Sequence, residues 1–168
     1  FQPVREAFQI ARQMNPNLKT VGVVWNPAET CSEACCLLAR DECKNLGITL
    51  VEAQVDATAG VREAADSLVA RGVEAIWLGG DNTVEMAAAQ LVQSGERGGV
   101  PVFANAPSHP KIGALFGIGA NYVEVGRRVG EMAAQVLKGD LDPASVEIKN
   151  VMPAKLAVRL RASVTAGL

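Results

Sequence analysis

Short apolar runs alternate with amphipathic stretches along the whole chain, and this alternation restricts it to an α/β architecture. The run at 20–25, Thr-Val-Gly-Val-Val-Trp, is closed by Asn26-Pro27, the pattern of a buried strand followed by a turn. Strand-like runs recur at 48–55, 75–78, 100–103 and 114–119. Between them apolar residues return at helical spacing: Val61, Ala64, Ala65 and Leu68, then Val84, Ala87, Ala88 and Leu91. A leading helix carries Val4, Ala7, Phe8 and Ala11, and is stopped by Asn15-Pro16-Asn17. A last long helix carries Val125, Val129, Met132 and Val136 and ends at Gly139. Thr30 with Glu33, and Asn82 with Glu85, have capping-box spacing and are expected to open helices.

Five strands interleaved with helices predict a three-layer α/β/α sandwich with a mainly parallel five-stranded sheet, order 2-1-3-4-5. The stretch 156–160 is expected to be an added edge strand or part of a hinge, with a short helical segment after it. At 168 residues the chain is one domain, expected to be a single ligand-binding lobe. It opens on Phe1 rather than Met, so it is expected to be an excised piece or a mature chain.

Charge excludes several partners. Sixteen Lys and Arg against eighteen Asp and Glu give a formal net charge of −2, without like-charge runs. That favours neither a nucleic-acid groove nor a basic membrane patch. No apolar run reaches the ~20 residues that span a bilayer. The four cysteines all fall between positions 31 and 43, as CxxxCC followed by a seventh-residue Cys. That is neither a disulfide framework nor a zinc knuckle, so they are expected to be small buried helix residues without a metal.

In a doubly wound sheet a ligand sits beyond the carboxyl ends of the strands. Those loops are 26–32, 79–83, 105–109 and 119–122. Trp25, Trp77 and Tyr122 lie near the same edge, either as ligand-facing rings or as core plugs. Enzyme signatures such as GxxxxGK[ST], GxSxG and HExxH do not occur. Gly117-Ile-Gly119 has only part of a dinucleotide fingerprint. The single histidine, His109, reads as an exposed loop residue. Asp81 follows two glycines at a helix N-terminus, where an ionised carboxylate is favoured. It is expected to accept from a ligand's ammonium or hydroxyl.

The loops resemble one family as a set. Asn26-Pro-Ala-Glu-Thr-Cys-Ser32 is similar to its NPxExNS loop, and Asp81-Asn-Thr-Val84 to its DNTV motif. Pro101-Val-Phe-Ala104, Gly113-Ala114, Gly119-Ala-Asn-Tyr122 with Gly126-Arg127, and Leu137-Lys-Gly139 follow in the family's order. The chain resembles the ABC-transporter substrate-binding proteins of the tryptophan-uptake type, which have a two-lobed periplasmic-binding-protein type I fold. The resemblance implies that this is the second lobe, with the first lobe of the same chain missing. It implies a small-molecule ligand, polar or amino-acid-like, an ABC permease as partner, and neither catalysis nor a cofactor. It also implies a periplasmic or extracytoplasmic location, with or without a lipid anchor. The implied ligand contacts are Glu29, Ser32, Asp81, Asn82, Asn121 and Tyr122. The chain departs from the family at Cys31, where Asn is usual, at Asn121, where the family has Asp, and in its closing segment Leu156-Ala-Val-Arg159. The alternatives are a sensory ligand-binding domain and a Rossmann-like or flavodoxin-like enzyme.

Overall fold

The computed structural model describes residues 2–147 and 154–160. The helices are α1 Val4–Met14, α2 Thr30–Leu46, α3 Val61–Ala70, α4 Asn82–Glu85, α5 Ala88–Gly98 and α6 Tyr122–Lys138. The strands are β1 Thr20–Trp25, β2 Thr49–Gln54, β3 Ala75–Leu78, β4 Val102–Ala104, β5 Phe116–Ala120 and β6 Ala154–Val158. The sheet order is β2-β1-β3-β4-β5-β6. The first five strands are parallel and in the expected order, with β1 inside the sheet. The edge strand expected at 156–160 is found two residues earlier, as β6, antiparallel to β5. The expected helical segment after residue 160 lies outside the described residues.

Strand alternation sorts the core into two halves. On β3, Ala75 and Trp77 face α1 and α2, while Ile76 and Leu78 face α3 and α5. The first half is built on rings. Phe8 of α1 meets Trp77 edge-on at 5.2 Å and Phe103 at 5.3 Å, and Phe103 stacks on Phe116 at 5.4 Å. The second half is aliphatic and tight. A Cβ on Gly22 would lie 3.0 Å from Leu68 Cδ1, so the glycine lets α3 approach β1 closely.

Three local expectations shift. Thr30 is the first residue of α2 rather than its cap; the capping position is Glu29, whose side chain does not cap α2. Asn82 likewise lies one residue inside α4, and Asp81 is the cap. The helix expected from 82 to 92 breaks at Met86-Ala87 into α4 and α5. The residues there are good helix formers, so tertiary ties at the start of α4, described below, override propensity.

Helix α6 differs from the others. None of its residues is buried. Val129, Met132 and Val136 form an exposed apolar stripe at helical spacing. On its polar side Glu124 pairs with Arg127 at 2.6 Å and with Arg128 at 3.1 Å. Arg127 and Arg128 hold the Glu124 carboxyl well below the usual carboxylate range, at about 2.

Cys35, Cys36 and Cys43 are buried among the α1–α2 core residues, and Cys31 is exposed. Burial pushes the thiols of Cys36 and Cys43 up to about 12 and raises that of Cys35. A thiolate-specific reagent such as Ellman's should therefore titrate one thiol per native chain at pH 8, and four after denaturation. Labelling of Cys31→Ser with the same reagent should fall to near zero until the chain is unfolded.

Candidate functional site

The carboxyl ends of β1, β3, β4 and β5 carry the loops expected to form a site, and these loops frame a cleft of about 330 Å³. Its floor depends on two glycines. A Cβ on Gly117 would lie 2.0 Å from the Ala106 carbonyl oxygen, and one on Gly119 2.6 Å from that of Asn105. Gly117-Ile-Gly119 therefore lets the segment after β4 press onto β5; the partial nucleotide fingerprint is a packing feature.

Asp81 ties two loops together. Its Oδ2 accepts from the Asn26 backbone N–H and the Ser32 hydroxyl, each at 2.6 Å, and its Oδ1 accepts from the Val84 N–H at 2.8 Å. The residue is only 6% exposed. Protein donors thus engage both oxygens of the carboxylate expected to meet a ligand, and the residue borders the cleft. Ser32 is buried against it.

Glu29 does for α4 what Asp81 does, from the opposite loop. Oε2 accepts from the Asn82 N–H at 2.9 Å and its side-chain amide at 3.0 Å. Oε1 accepts from the Thr83 N–H at 2.9 Å and the Thr83 hydroxyl at 2.5 Å. The Thr83 hydroxyl and then the Asn82 N–H hold the Glu29 carboxyl below its ordinary value of 4.5. Within the first loop, Asn26 Oδ1 accepts from the Ala28 N–H at 2.9 Å, closing the turn that aims Glu29.

The expected contacts thus divide. Asn82, Asp81 and Tyr122 line the cleft, while Glu29, Ser32 and Asn121 do not. Tyr122 is 77% exposed at the rim. Asn121 caps α6, its Oδ1 accepting from the Glu124 N–H at 3.3 Å. Trp25 and Trp77 are core residues. Trp77 Nε1 donates to Asn105 Oδ1 at 2.6 Å, and the Asn105 amide donates to the Pro3 carbonyl at 3.0 Å, anchoring the β4 loop to the start of the chain.

His109 corrects its expectation as an exposed residue: it is 4% exposed, in the 3-10 turn His109–Ile112. Gly117 admits that turn against β5, with Pro110 Cδ close by. Its Nε2 is 2.9 Å from Glu85 Oε1. Glu85 was missed by sequence reasoning. Its only sequence signal, three residues after Asn82, pointed to a capping role that its contact with His109 replaces.

Residues 2–167 match the pattern of the family described as ABC transporter substrate binding protein. The chain belongs to that family. A curated family relative, the tyrosine-binding protein of Clostridioides difficile, is 24% identical over 136 residues, 81% of this chain and 39% of that protein. Two solved structures share the fold. A conserved domain protein of Vibrio cholerae aligns with TM-score 0.85 and 27% identity, covering 100% of this chain and 56% of that one. The ABC domain in complex with L-Trp from Streptococcus pneumonia aligns with TM-score 0.82 and 22% identity, over 99% and 57%. The chain spans about two-fifths to three-fifths of the length of these relatives.

The two ties give separate expectations. Asp81→Ala strands three donors, two of them main-chain N–H groups, and should destabilise the fold by roughly 3 kcal/mol in urea titrations. Glu29 acts through pH. Its folded-state pKa is depressed, so its contribution is full above the unfolded value and is lost as pH falls through the folded one. Stability should therefore drop as pH falls below about 5, and Glu29→Gln should flatten that part of the profile. An unchanged slope in the variant would assign the acid loss to other carboxylates.

Proposed function

We propose that this chain is the second lobe of the solute-binding component of an ABC importer. It would hold a small polar or amino-acid-like ligand between two lobes, without catalysis, and present the closed form to a permease. The observation that carries the reading is the place of the cleft, which gathers βα-loop residues from four strand ends. Helix α6 supports a second body, because its apolar stripe is unburied. The greater length of the relatives supports it too. We place the first lobe on that stripe and over the cleft, and the protein in an extracytoplasmic compartment. Among the described residues no helix is long and apolar enough to cross a membrane.

The named relatives favour aromatic amino acids as ligands. Asn82 and Tyr122 are the expected contacts at the rim. Glu29, Ser32 and Asp81 would act behind them by fixing the loops, and Asn121 by fixing the start of α6.

Calorimetry distinguishes a half-site from a complete one. The full-length protein should bind L-tryptophan or L-tyrosine at micromolar affinity or better. These 168 residues alone should bind at least about 100-fold more weakly, since ~1.4 kcal/mol of lost contact is tenfold in affinity. Submicromolar binding by the 168-residue chain would overturn the two-lobe reading.

A further inference from the structure

Among the described residues no lysine or arginine lines the cleft, and its carboxylates are Asp81 and Glu85. Asp81, like nearby Glu29, is taken up by protein donors. Glu85 is not. Its side chain is 52% exposed and lines the cleft; Oε1 contacts His109 Nε2, and among the described residues no hydrogen bond engages Oε2.

The histidine is built to aim that carboxylate. Its side chain is 5% exposed, and Nδ1 is buried without a partner. With the Glu85 carboxylate against it, the ring donates through Nε2–H. The backbone that carries the ring is held on both sides. The His109 N–H donates to the Ala106 carbonyl at 3.2 Å, and the Ala114 N–H donates to the His109 carbonyl at 3.1 Å.

We propose that Glu85 is the acceptor for a cationic group of the ligand, an ammonium or guanidinium, and that His109 is its positioning residue. The proposal rests on the reading of this chain as a ligand-binding lobe. In the open cleft water solvates the half-exposed carboxylate. When a second lobe closes over it, that water is displaced, and a carboxylate left without a positive partner is penalised. In this proposal the ligand supplies the positive charge, which no described lysine or arginine of this chain supplies at the cleft. The same penalty rejects ligands of similar shape that lack a cation, so Glu85 sets specificity as well as affinity. The ligand's anionic end, where it has one, goes to other groups.

The test is calorimetry on the full-length protein with L-tryptophan and with indole-3-propionate, which lacks the ammonium. The parent should prefer tryptophan by at least about 100-fold. Glu85→Gln should weaken tryptophan binding by about 10- to 100-fold, the loss of one charged hydrogen bond, and leave indole-3-propionate at its parental affinity. Glu85→Asp should recover part of the loss. His109→Ala should weaken tryptophan binding and add nothing in combination with Glu85→Gln; a purely structural role would make the two losses additive. Thermal melts of the Glu85 variants should match the parent within a few degrees, while His109→Ala, which empties a buried site, should melt lower. Parental tryptophan affinity in a folded Glu85→Gln protein overturns the proposal while leaving the ligand-binding lobe intact. A parent that binds no amino acid takes both readings down together.

Discussion

The loop geometry depends on two carboxylates that each reach from one βα loop to the next. Asp81 leaves β3 and holds the start of the β1–α2 segment; Glu29 leaves β1 and holds the start of α4. Neither loop has a hydrophobic core of its own. Each is ordered by hydrogen bonds supplied by the other, and ionised acceptors make such bonds about twice as strong as neutral ones. The break between α4 and α5 follows from the same ties. The first turn is fixed to the neighbouring loop, while α5 turns Leu91 and Val92 into the aliphatic core.

A cleft framed this way keeps its shape without a ligand. The β4 loop is tied through Asn105 to Trp77 and Pro3, and the turn at His109 is pressed on β5 where glycines leave room. The rigid parts of the site thus lie on the strand ends and the short α4. The exposed ring of Tyr122 and the half-exposed Glu85 side chain are the parts left to meet something else. This is the usual division in binding sites, where locked groups position a few free ones.

The order of five strands was legible because strand and helix periods switch cleanly and crossovers have one hand. The sixth strand was legible only as an alternative, since a short apolar run at a chain's end has no turn partner to fix its direction. The site was legible at the level of loops and not of atoms. Asp81 stood out by its position after Gly79-Gly80, but what its oxygens accept from depends on Asn26 and Ser32, some fifty residues earlier in the chain. His109 read as exposed because Ser108 and Pro110 flank it; its burial comes from Gly117, across the sheet edge. Glu85 gave no usable signal at all. Its role depends on a histidine 24 residues away, a spacing that belongs to no local motif.

Cys31 occupies a position with a practical consequence. It is the exposed thiol of the four, and it borders the cleft. An environment-sensitive dye attached there would sit at the ligand's doorway, with no cysteine added or removed. Occupancy of the cleft would then be read as a change in colour or brightness, so the sequence already contains the handle for an optical sensor of whatever enters that cleft.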